Sequence, residues 1–247
     1  MCCFSGSRQV SVSRTNIYAR MLERRPLQVL AYGMDLAVEE EVAMVLPLPV
    51  PPGSGDDAVT FIDLHSSPQM FQQLAGLFVM PSRSGAGRSA MPTAQGLAVH
   101  KVGSFVASYV PTRGDFARLD PRFRISEQLF AAVPQYIDYG FAVFQLASGR
   151  STIHPMAFSF PTRDPDRLFF PTVHVHDGSV HPTAEFDHSL YYQHPRCTEL
   201  GGSFGGDEVS VMSGTDTFAG VTNRELPYVR RAMKATLPNE DTWIAAS

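Results

Sequence analysis

Five of the eight histidines in this 247-residue chain fall between positions 171 and 194, in the run PTVHVHDGSVHPTAEFDHSLYYQH. Neutral imidazole suits zinc, copper and iron, and three imidazoles on zinc leave a fourth position open for water. Thr172 to His176 is β-branched and alternating, Asp177-Gly178 has the composition of a type I′ turn, and Ser179 to His181 opens a return strand. In that register His174 faces His181, and His176 shares the face of His174 because side chains alternate along a strand. Opposed residues have Cβ atoms roughly 4.5–5.5 Å apart, within reach of one ion. The spacing therefore predicts a metal site of His174, His176 and His181 that holds zinc, with copper or iron as alternatives. Glu185 or Asp187 would orient an imidazole from behind. An ion there would lower the pKa of bound water, as in a metal-assisted hydrolase or lyase. The plainer alternative keeps these histidines at a sheet rim, hydrogen-bonded to Asp177, Glu185 and Asp187.

Two rival readings come from other residues. Removal of Met1 would leave the Cys2 thiol beside a free α-amine of pKa about 7.7–8.0, a suitable base for an N-terminal nucleophile amidohydrolase. Arg20 is broadly similar to the arginine that follows the nucleophile in cholylglycine-type members. Cys2 and Cys3 point to opposite faces of an extended chain, which predicts one buried and one exposed thiol. The same alternation sets Asp187 and His188 on opposite sides of a strand, so their adjacency is no sign of a Ser-His-Asp triad. The other rival is a non-catalytic interaction module. It draws on LPLPVPP at 46–52 and the polar run PSRSGAGRSAMPTAQG at 81–96, both suited to partner binding at a sheet edge.

Composition narrows the classes. A hydrophobic content of 44% fits a globular chain with a substantial core. The net charge of -4 and dispersed Lys and Arg offer no basic stripe, so neither nucleic acid nor an anionic membrane is an expected partner. A small-molecule substrate or a protein partner remains. Three cysteines make no disulfide framework. With no apolar run near the roughly 20 residues of a membrane span and no secretory pattern at the start, a cytoplasmic protein is expected.

Strand patterns dominate the chain: 9–13, 16–20, 27–34, 42–48, 59–64, 97–102, 104–110, 141–146, 155–160 and 184–193, besides the histidine hairpin. The prolines of LPLPVPP remove ladder donors, so strand 42–48 must leave the sheet as an extended edge. Ser66 or Ser67 caps a helix carrying Met70, Phe71, Leu74, Leu77 and Phe78 at helical spacing. Short helices are also expected at 115–119, at 126–136 behind Ser126, and at 223–237. The fold class is α+β, sheet-dominated and mostly antiparallel, with two to four short helices. Residues 1–200 form the main domain, with a mobile loop at 81–96, and 201–247 add a Gly-rich segment and a C-terminal helix packed on it.

The segments CCFS, AMVLPLPVPP, FIDL, HKVGSFVASYVPTRGDF, YIDYGFAVFQL and HPMAFSFPT cover, as a series, about two-thirds of the chain. Their order resembles an uncharacterised bacterial family built on a domain of unknown function. Members usually carry a secretory leader, whereas this chain starts at MCCFS. The resemblance implies a mixed but sheet-dominated fold and transfers no catalytic residue.

Overall fold

The computed structural model describes residues 2–5, 10–22, 26–78, 106–193, 203–204, 207–210 and 217–245. Strands β1 (Cys2–Phe4), β2 (Ser11–Leu22), β3 (Leu27–Val38), β4 (Val42–Leu48) and β5 (Thr60–Ile62) precede helix α1 (Met70–Gly76). After β6 (Val106–Val110) come two 3-10 turns, helix α2 (Glu127–Ala132) and a third 3-10 turn. The chain then runs through β7 (Gly140–Leu146), β8 (Gly149–Pro161), β9 (Arg167–Phe170), β10 (His174–Val175) and β11 (Thr183–Gln193). It closes with β12 (Ser203–Phe204), β13 (Asp207–Ser210), β14 (Tyr228–Pro238) and β15 (Thr242–Ala245).

These strands form a five-stranded sheet in the order β10-β1-β4-β7-β6 and an eight-stranded sheet in the order β12-β13-β14-β11-β2-β3-β8-β5; β15 pairs with β9 in a third. Among the described residues only β1 with β10 and β2 with β11 pair in parallel; the other pairings are antiparallel. The fold is sheet-dominated, as the alternation of the sequence predicts. Met44, Leu46 and Phe144 of one sheet join Leu30, Tyr32 and Phe158 of the other in a single buried core, so the sheets pack face to face.

The outer faces are covered as well. Ala43, Val45 and Val143 pack under Phe116, Phe123 and Phe130 of the 3-10 turns and α2, and Ala31 and Tyr191 lie in a third cluster with Met70 and Leu74 of α1. This double cover explains why every residue of β4 is buried. Pro47 is accommodated inside β4 because β1 pairs only with Val45 and Met44 there, so no second ladder needs the missing N–H. Gly140 is required where it lies. A Cβ on it would stand 2.7 Å from Cε2 and 2.9 Å from Cζ of Tyr109 on the neighbouring strand. Gly140→Ala is expected to cost about 1–3 kcal/mol by overpacking, seen as a lower urea midpoint at unchanged slope.

Several expectations need correction. The helix foreseen at 223–237 is β14: its Arg, Ala, Met and Lys favour a helix, but all eleven of its residues pair with β11, and tertiary pairing overrides propensity. β12, β13 and β14 thus extend the eight-stranded sheet. The two strands read at 9–13 and 16–20 are one strand, β2, with a register shift between Ser13 and Asn16. There Arg14 adopts φ 51°, its side chain paired with Asp35 and its N–H donating to Asp187 Oδ2 at 3.1 Å. Ser126 does cap α2, accepting from the Leu129 N–H at 3.2 Å, but the helix stops at Ala132 ahead of Pro134. Helix α1 starts at Met70, without a side-chain cap from Ser66 or Ser67. The loop at 81–96 and the strand at 97–102 lie outside the described residues.

Candidate functional site

Histidines gather at one end of the space between the two sheets. Strand β10 joins the five-stranded sheet by pairing Cys2 with His174 and Cys3 with Val175. Asn239 clips it in place, its Oδ1 accepting from the His174 N–H at 2.7 Å and its Nδ2 donating to the carbonyls of His174 at 2.9 Å and His181 at 3.0 Å. Asp241 accepts from the Val173 N–H at 3.2 Å and from the Tyr136 hydroxyl at 2.5 Å. Two carboxylate and amide side chains thus stand in for a neighbouring strand. Val173 and Val175 are buried beneath the sheet, while His174 and His176 face the other way.

Across the gap stands β11. Its alternation buries Phe186, His188 and Leu190 and leaves Glu185 and Asp187 exposed. His174 meets His188 with their Nε2 atoms 3.2 Å apart and packs on Phe186 at 4.5 Å between ring centroids. His176 stacks on His174 at 4.8 Å and meets the edge of Phe4 at 5.6 Å. Burial, together with the neighbouring His188 and His176, pushes the His174 pKa down to about 3. Burial lowers His176 to about 4 and His188 to about 3. All three rings are neutral at pH 7, and the Nε2 of His176 and Nδ1 of His188 have no hydrogen-bond partner among the described residues.

The sequence therefore identifies two of the three clustered rings and misplaces the third. His181 does not face His174, because no ladder joins the two segments and β10 pairs with β1 instead. A turn does form, with Gly178 at φ 78° and Asp177 accepting from the Ser179 N–H at 3.0 Å, but the chain then swings to the other sheet. His181 is exposed and its Nε2 lies 2.9 Å from Asp177 Oδ2. Neither acid proposed to orient an imidazole does so: Glu185 accepts from Thr236, and Asp187 pairs with the Arg14 N–H and with Lys234 at 3.8 Å. His188 was legible in principle, since Phe186, His188 and Leu190 alternate; what hid it was its distance from the HVH run. Cys3 is buried, and Asp187 and His188 face opposite ways, the latter as alternation predicts.

Among the described residues no group of three or more His, Cys, Asp or Glu side chains is placed to hold a metal ion. A cavity of about 200 Å³ opens elsewhere, between β5, β6, β7 and β8, lined by Phe61, Leu64, Ala107, Phe144, His154 and Met156. Burial lowers the pKa of His154 at its wall.

No family model matches the sequence, and no curated protein matches it. Solved structures do. The chain is similar to baculovirus P35, with a TM-score of 0.54 and 14% identity over 99% of both chains. A mutated baculovirus P35 after caspase cleavage matches with a TM-score of 0.48 at 13% identity, over 96% of this chain and 98% of that one. P35 in its complex with caspase-8 matches at 0.45 and 12%, over 95% and 96%. At such identities the first match establishes a shared fold and nothing finer, and the two lower scores add no weight. No helix among the described residues is long and apolar enough to cross a membrane.

Proposed function

We propose that this chain is a protein-binding module, the non-catalytic alternative of the sequence reading. The observation that carries it is the outer edge of the five-stranded sheet. Strand β6 pairs with β7 on one side only among the described residues, and Val106 at its start is 56% exposed. An open edge with an apolar side chain is a ready template for strand addition, which supplies backbone hydrogen bonds to an extended segment of a partner. The cavity beside Ala107 offers that segment an apolar recess.

The metal-assisted hydrolase or lyase is less well supported. A hydrolytic zinc site needs three protein ligands and an open position, and the histidine brought to His174 and His176 lies with its Nε2 against another imidazole. Caspase-8, the partner of P35 in a solved complex, supplies the first protein to test. Co-elution of the purified chain with caspase-8 in size-exclusion chromatography is the expected result. Val106→Lys, which puts a charge on the edge, is expected to weaken the complex about tenfold or more. Separate elution of chain and enzyme, or equal binding by Val106→Lys, would overturn the reading.

A further inference from the structure

We infer that the cavity between β5, β6, β7 and β8 binds a small aromatic amine, its ring seated against Phe61 and Phe144 and its ammonium group set against the Asp63 carboxylate. The site goes beyond the protein-binding reading and does not rest on it, because a free ligand fills the space without any added strand.

The cavity lies where both sheets end. β5 closes the order of the eight-stranded sheet and β6 that of the five-stranded sheet, and each pairs on one side only among the described residues. Phe61, Ile62 and Ala107 are half-buried there, so the entrance is apolar and reaches solvent. A volume of about 200 Å³ limits the occupant to one ring with a short chain. An apolar cavity of about 150 Å³ holds benzene, whereas drug-sized ligands need about 300 Å³ or more. The walls favour an aromatic ring over an aliphatic chain. Phe61 and Phe144 meet edge to face at 5.7 Å between centroids, and both contact Phe158, at 6.1 and 5.9 Å. A further ring extends this cluster, since such pairs attract beyond the area they bury. Met156 adds a thioether that adapts to a ring edge.

Charge selects the tail. Asp63 is exposed, and its carboxylate is fixed by the His65 N–H, which donates to Oδ1 at 2.8 Å. No Lys or Arg side chain lines the cavity among the described residues, and burial disfavours the protonated form of His154. A cationic tail thus meets an opposite charge in the lining, and an anionic tail meets a like one. An exposed ion pair adds only a few-fold in affinity, so the ring supplies most of the binding.

The test takes the full chain with no partner protein, so it can fail while strand addition at β6 stands, and the reverse. Titration with 2-phenylethylamine, followed through the Met156 methyl signal by NMR, is expected to show one site per chain with a Kd of about 1 mM or tighter. Binding of 2-phenylethanol is expected to be about threefold weaker, and that of phenylacetate about tenfold weaker. Asp63→Asn, an exposed change that keeps an acceptor for the His65 N–H, is expected to weaken the amine about threefold and leave 2-phenylethanol unchanged. Ala107→Phe, which fills the entrance, is expected to remove binding of both. A Met156 signal unmoved by the amine would overturn the site and leave the cavity to a partner's side chain. Equal binding of the amine and phenylacetate would overturn the assigned ligand.

Discussion

Between pH 7 and pH 5 the chain is expected to lose roughly 3–6 kcal/mol of folding stability through His174, His176 and His188. Their folded pKa values, about 3, 4 and 3, lie below the ordinary 6.5. The unfolded chain therefore binds protons that the folded chain refuses, and stability rises with pH wherever that holds. The contribution is fully present above about 6.5. It is lost as pH falls from there through 4 and 3, at roughly 2 kcal/mol for each ring by pH 5. Total stabilities of 5–15 kcal/mol make this a large share. The carboxylates of Asp56, Asp115, Asp120 and Asp177 are pulled below 3.8 by hydrogen bonds, so they titrate beneath this window. Urea unfolding at half-unit steps from pH 7.5 to 5 checks the expectation. Replacing His188 by phenylalanine should flatten the curve by about a third; a wild-type curve already flat above pH 5 would show that these rings are not held neutral by the fold.

The second large effect centres on Gln193 at the end of β11. Its Oε1 accepts from the Tyr18 hydroxyl at 2.6 Å and the Asn223 N–H at 2.8 Å, while its Nε2 donates to the carbonyls of Asn223 at 2.7 Å and Leu226 at 2.8 Å. Gln193 and Tyr18 are both buried, and burial holds the Tyr18 pKa well above its usual value. One amide thus ties β2 and β11 to the segment that leads into β14. Gln193→Leu keeps nearly the same volume but removes four hydrogen bonds at once; the Asn223 carbonyl keeps the Leu226 N–H at 3.4 Å and Tyr18 keeps Arg20, whereas a buried polar group left unpaired costs about 1–3 kcal/mol. Relaxation lets the groups left without a partner find some water, so about 3–5 kcal/mol in total is expected. For a chain of this length that is a fall of roughly 6–20 °C in Tm. A loss below 1 kcal/mol in calorimetry would show that the hub is not needed.

Strand positions were legible because alternation of apolar and polar residues is a local property. β4 at 42–48 matches its expected span, and β7 and β11 fall within a residue of theirs. The same rule foretold the opposite facing of Asp187 and His188. β14 was read as a helix because its residue types favour one, and its ladder to β11 joins residues up to 55 positions apart.

By itself, then, the sequence determined most of the extended segments, β14 excepted, and that imidazoles are concentrated near residue 174. These follow from side-chain periodicity and backbone freedom, which act over a few residues. Only the tertiary structure decided which histidines meet. The turn at Asp177-Gly178 carries the chain from one sheet to the other rather than back along itself, so His181 is left to Asp177 and His188 reaches His174. Strand pairing is chosen by which apolar faces can be buried together, and that choice belongs to the whole core.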